Sequence, residues 1–320
     1  MYRRIATLAI AAAAIGALMP AFSAEDYPAK PIRIVVPYSA GGGVDNITRV
    51  VATQLGARLK QSVIVDNRPG ANANIGADYV AKAPADGYTL LMGATFLAFN
   101  RATMKTIPYD ASKDLIPVAR TGKAPFVLVV PATSPFKTVA ELVAYMKANP
   151  DQASYGAVGA GSPTNLIFPK NTGTDPVQIL YKGGATALPD LIAGRLTYMI
   201  QTTSEVLPHI GTGKLRALAV TGTVRFKHLP DVPTMKEAGV GGLEGTGWWG
   251  LFVPAKTPAA IVDRLSEETQ RVMKQPEVIA ALDKLGIESA PQPAAEFQPF
   301  FQSELKSYVE VARQFNLTTE

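Results

Sequence analysis

The stretch that decides the fold is Ile32 to Asp45, IRIVVPYSAGGGVD. An apolar run of strand character meets three consecutive glycines and then the start of a helical pattern. Glycines let the chain bend sharply and bare main-chain N–H groups, and a helix N-terminus adds about half a positive charge. The junction is therefore a seat for a carboxylate or a phosphate. Asp45 has two readings: an acid that caps the first helical turn, or one that orients the glycine loop.

Upstream of this seat, Tyr2 to Ala24 reads as a secretory signal. Arg3 and Arg4 form the charged region, Ile5 to Met19 the apolar run, and small residues allow cleavage after Ser23 or Ala24. The arginine pair lacks the context of a twin-arginine signal, so general secretion is expected. The apolar run is shorter than the roughly 20 residues of a membrane span, and no later segment qualifies. The expected location is the periplasm of a two-membrane bacterium. The chain has no cysteine, which excludes disulfides, thiolate chemistry and lipid attachment through sulfur. Without Arg3 and Arg4 the balance is 29 basic to 26 acidic residues, too even for a nucleic-acid binder.

Downstream, strand runs alternate with amphipathic helical stretches, which predicts parallel sheets with helices on both faces. At about 296 residues after the leader, a single core is expected to split in two. Strands are predicted at 32–37, 62–66, 89–94, 126–131, 153–157, 177–181, 197–201, 215–221 and 249–253. Helices are predicted at 45–59, 76–83, 139–148, from 164, at 186–193, ending near 211, and at 259–274, 277–285 and 294–314. Thr138 and Glu141 form a capping box for the helix at 139. The runs FVLVVP (126–131) and LRALAVT (215–221) are the crossovers between two α/β lobes. The lobes are assigned as 25–122 plus 222–320, and 123–221, with residues 1–24 as the leader. Ligands of open α/β sheets sit at the carboxyl ends of strands, so the pocket is expected between the lobes.

Catalytic marks are missing. His209 and His228 are the only histidines and read as surface or capping residues; no metal-ligand spacing, GxSxG elbow or SxxK is present. The glycine triplet departs from the P-loop and from GxGxxG, although Asp66 lies 23 residues after Gly43, as a ribose ligand would. Asp45 would repel a pyrophosphate there. No cofactor and no metal are expected. Neutral donors recur at other strand ends: Asn72 and Asn74 before a helix, as caps or ligand contacts; AVGAGSPTN (157–165); YKGGA (181–185); and Thr202 to Ser204. Hydroxyl and main-chain donors cost less to desolvate than an arginine and still grip a carboxylate.

These segments resemble the Bug family of periplasmic solute-binding proteins, receptors of tripartite tricarboxylate transporters. The matching stretches are YPAKPIRIVVPYSAGGGVDNITR (27–49), NRPGANANIGADYVAKAPADGYTLL (67–91), IPYDASKDLIPVA (107–119), YKGGATALPDLIAGRL (181–196), LPHIGTGKLRALAVTG (207–222), LPDVPTMKEAG (229–239) and WWGLFVPAKTP (248–258). The resemblance implies a two-lobe Venus-flytrap fold of type II-like α/β architecture with two hinge strands. It implies closure on a small carboxylate and no catalytic residues; the rings near the cleft suit an aromatic mono- or dicarboxylate as well as an aliphatic one. It also implies a monomer that delivers ligand to transporter membrane subunits or to a sensor. An exported enzyme acting on a carboxylate in the same cleft is the rival.

By position, the first-lobe contacts would be Tyr38, Ser39, Ala40, Gly42 and Gly43, with Asp45 and Asn74 beside them, and Ala94, Thr95 and Phe96. Those of the second lobe would be Gly161, Ser162, Thr164 and Asn165, then Tyr181, Gly183, Gly184 and Ala185, and Thr202. Two departures bear on ligand choice. Asn165 replaces a frequent histidine, and Gln201 replaces a frequent aspartate, leaving less for an ammonium group and disfavouring free amino acids. Pro169 is expected to stop the helix that begins at Thr164. Phe96, Phe99, Phe168, Trp248 and Trp249 read either as core or as rings stacking on a flat ligand.

Overall fold

The structure, a computed structural model, describes residues 27–158 and 163–318. The leader at 1–24 and the expected contacts Gly161 and Ser162 lie outside the described residues. Two sheets carry the chain. The first has strand order β11-β4-β10-β3-β1-β2, from β1 (Ile32–Val36), β2 (Val63–Asn67), β3 (Thr89–Ala94), β4 (Leu115–Ala124), β10 (Gly247–Pro254) and β11 (Glu288–Pro293). The second has order β7-β6-β8-β5-β9, from β5 (Phe126–Pro131), β6 (Ser154–Val158), β7 (Val177–Tyr181), β8 (Tyr198–Thr202) and β9 (Leu215–Val220). The helices are α1 (Gly43–Leu59), α2 (Asn74–Ala81), α3 (Phe96–Thr103), α4 (Val139–Ala148), α5 (Pro163–Thr172), α6 (Gly184–Ile192), α7 (Thr203–Gly211), α8 (Ala259–Met273), α9 (Pro276–Lys284) and α10 (Ala294–Gln314).

Both sheets are mixed, which corrects the expectation of parallel ones. β1 pairs in parallel with β2 and β3, and β6 with β7 and β8, but β10 runs antiparallel to β3 and β4, and β5 to β8 and β9. The reason is the traffic between lobes. β4 leaves the first sheet and, after Pro125 alone, continues as β5 in the second; β10 returns across the same gap and must run the other way.

Each sheet has its own core. Ile34, Val35, Leu90, Leu91, Leu251 and Phe252 are wholly buried in the first, where both faces of the sheet are covered. Leu128, Val130, Tyr198 and Phe168 fill the core of the second. The connection from β9 to β10, expected in the first lobe, instead adds Met235, Val240 and Leu243 to the second core. Ala312 of α10 and Leu317 beyond it join them, so the last helix straps the two halves together.

Thr138 caps α4 as read: its hydroxyl accepts from Glu141 N, and the Glu141 carboxylate accepts from Thr138 N. α5 does not stop at Pro169 but runs through it to Thr172. The missing N–H removes one bond, but the buried Phe168 ring, 5.5 Å from the Tyr198 ring, anchors the turn.

Candidate functional site

The carboxyl ends of β1 and β3 face those of β6, β7 and β8 across a cleft, and between them lies a cavity of about 100 Å³. The loop from Tyr38 to Gly43 forms one wall. Gly41, at φ +82°, turns it in the left-handed region that glycine adopts freely. Asp45 holds it from behind: its carboxylate accepts from Gly41 N at 2.9 Å, Asn67 Nδ2 at 2.9 Å and Arg49 Nε at 2.8 Å. Asn67 Nδ2 also donates to the Tyr38 carbonyl at 3.1 Å. Burial alone would push the Asp45 carboxyl up; the Arg49 guanidinium and the two N–H donors outweigh it and hold it below the ordinary value. Asp45 thus orients the loop and does not line the cavity.

A second wall comes from β3, α3 and the turn before α2. Ala71, Asn72 and Ala73 all have positive φ, an unfavourable run for residues with a side chain. Asn100 Nδ2 pins it by donating to Asn72 O at 2.7 Å and to Asn74 Oδ1 at 3.1 Å, while Tyr109 Oη also donates to Asn74 Oδ1 at 2.9 Å. Asn74 is consumed in this support, and Asn72 and Asn100 line the cavity.

Of the residues expected from the sequence, Tyr38, Ser39, Gly42, Gly43, Ala94, Thr95, Phe96, Asn165, Gly183, Gly184 and Thr202 meet around the cavity. Ala40, Thr164, Tyr181 and Ala185 do not line it, nor do Asp45 and Asn74. Tyr181 instead donates to Asp190 Oδ2 at 2.7 Å. Phe96, Phe99, Trp248 and Trp249 are both core and cavity wall, whereas Phe168 is core alone. Trp248 is fixed by donating from Nε1 to Glu304 Oε2 at 2.8 Å.

Glu205, in the first turn of α7, was missed by the sequence reading. It lines the cavity, and its Oε1 accepts from Gly43 N across the lobes at 3.0 Å. Burial raises its carboxyl above the ordinary value, opposed by the Gly43 N–H; burial and the nearness of Glu205 raise the Tyr38 phenol in turn. The expectation of less for an ammonium group, drawn from Gln201, is corrected: an acid lines the cavity four residues later. The run TTSE at a strand end was visible, but an acid there reads first as a partner of the helix dipole. Among the described residues lining the cavity there is no Lys, Arg or His, and no described group of three or more His, Cys, Asp or Glu residues could hold a metal.

The site can therefore hold a small, partly apolar molecule among rings and neutral donors, with one acid. Comparison with known proteins agrees with this architecture. Residues 47–317 match the family model described as the tripartite tricarboxylate transporter family receptor. The chain is 34% identical over 319 residues to protein BugT of Bordetella pertussis, covering 98% of both chains. It superposes on Rpa4515 of R. palustris with adipate at 32% identity and TM-score 0.88, covering 92% of this chain and 99% of that one. It also superposes on MatC from Rhodopseudomonas palustris with bound malate at 29% identity and TM-score 0.86, covering 89% and 99%. With its two α/β lobes, inter-lobe cavity and family match over most of its length, this chain belongs to the tripartite tricarboxylate transporter receptor family, the Bug-type solute-binding receptors.

Proposed function

We propose that the protein is an exported periplasmic receptor, monomeric, that captures a small organic carboxylate by closing its two lobes. The closed form would be presented to the membrane subunits of a tripartite tricarboxylate-type transporter, or to a sensor. The observation that carries this reading is the inter-lobe cavity, built from neutral donors and aromatic walls contributed by both lobes. A ligand bridging the two sides stabilises the closed arrangement, the hinge-closure mode of paired α/β lobes. The relatives with adipate and malate support the carboxylate class. No enzymatic role is proposed, since the reading rests on capture and release of an unchanged ligand.

The test is a thermal-shift screen of mature protein freed of ligand by unfolding and refolding, against carboxylates, amino acids and nucleotides. A ligand at a hundredfold excess over Kd adds about 2.7 kcal/mol, enough to raise the midpoint by a few degrees. Shifts with carboxylates and recovery of unchanged ligand are expected. A response to nucleotides alone, or recovery of a converted product, would sink the proposal.

A further inference from the structure

Two helices aim their N-terminal ends at one point from opposite lobes: α1, which starts at Gly43, and α6, which starts at Gly184. Such ends carry partial positive charge and N–H groups without helical partners. The chain fills this point itself. Glu205 Oε1 accepts from Gly43 N at 3.0 Å; a Cβ on Gly42 would stand 3.0 Å from the same oxygen, and a Cβ on Gly184 would collide with the carboxylate. The two glycines are the space in which the Glu205 carboxylate lies. Its Oε2 is buried with no hydrogen-bond partner, although the atom lines a polar junction. Gln201 Nε2, on the strand that leads into α7, is likewise buried without a partner, and Gln201 also lines the cavity.

Resting on the carboxylate-receptor reading above, we propose that Glu205 sets the ligand class. It puts a carboxylate of the protein where a dicarboxylate would place one of its own. The ligand is then a monocarboxylate whose other end carries a hydrogen-bond donor, ammonium or hydroxyl, for Glu205 Oε2. Gln201 Nε2 is the donor left for the ligand's carboxylate. The physical reason is charge. A second carboxylate against Glu205 is a like-charge pair in a desolvated pocket with no cationic side chain in its lining to offset it. An ammonium there forms a pair, and a hydroxyl a charge-assisted hydrogen bond.

Matched acids isolate the effect: adipate against 6-aminohexanoate and 6-hydroxyhexanoate, and succinate against 4-aminobutanoate and 4-hydroxybutanoate. Each is titrated calorimetrically into the wild type, Glu205→Gln and Glu205→Ala, with circular dichroism confirming the fold of each variant. The wild type is expected to bind a donor-bearing acid at least tenfold more tightly than the diacid of the same length. Preference for the amino acid alone identifies an ammonium ligand, and equal preference for the hydroxy acid identifies a neutral donor. Glu205→Ala is expected to reverse the order, with the diacid gaining at least tenfold; Glu205→Gln should lose the preference for ammonium. Diacid preference in the wild type, unchanged by either substitution, would overturn the assignment alone. Silence towards all six acids, in wild type and variants, would overturn the carboxylate-receptor reading and the assignment with it.

Discussion

Asp45 and Glu205 both accept from main-chain N–H groups of the glycine loop, Gly41 and Gly43, with opposite titration behaviour, and both can be read in stability. The Asp45 carboxyl is held below 3.8 by Arg49, Gly41 and Asn67 despite its burial. A carboxylate lowered in the folded state contributes stability above its unfolded value and loses it as pH falls through the folded one. Asp45→Asn is expected to cost about 2 kcal/mol near neutral pH, from the loss of charged hydrogen bonds. Urea denaturation at about pH 7 and again at about pH 3 checks this, because the deficit should shrink at the acid point. Glu205 runs the other way. Its folded value lies above 4.5, so the native state keeps its proton longer and stability declines as pH rises past 4.5 towards that folded value. Thermal melts of Glu205→Gln and wild type should diverge in favour of the variant as pH climbs through this window.

The strand-to-helix junction from β1 into α1 is the element on which the cleft turns. A Cβ on Gly43 would stand 2.7 Å from both Ser204 Oγ and Thr202 Oγ1 on the opposite lobe. Gly43→Val is therefore expected to hold the lobes apart. Ligand affinity should fall at least tenfold while the melting temperature without ligand stays within a few degrees, as calorimetric titration and scanning would show. This junction was legible in the sequence because apolar run, glycines and helical periodicity agree at one place. So were β5, β7 and α4, whose bounds fall where pattern and capping placed them. Other elements were hidden for separate reasons. α3, FLAFNRAT, is only 8 residues long and mostly buried, so two turns of apolar sequence directly after a strand read as a continuation of it. β4 carries Pro117, Arg120 and Lys123 inside a strand, and β11, ESAPQP, is an edge strand with two prolines. In the site, Ser39, Gly43 and Thr202 were readable as strand-end donors. Glu205 and Asn100 were not, since their meaning comes from what lies opposite them in space.

At the scale of the molecule, α10 ties the halves through Ala312, which sits in the second core while Phe297 and Phe301 of the same helix fill the first. Ala312→Asp buries an unpaired charge at the strap and is expected to cost about 3 kcal/mol. Scanning calorimetry should show one unfolding transition in the wild type and two in the variant, as each lobe melts on its own core. The strand order has one more effect, on the growing chain. The second sheet is complete once β9 has been made at Val220, whereas the first waits for β10, which must slot between β3 and β4. A chain made N-terminus first thus has β3 unpaired along the edge that β10 will take while the second sheet already has all its strands. That open edge persists until β10 ends at Pro254, which makes the first half of the protein the part most exposed to non-native strand pairing while the chain is being made.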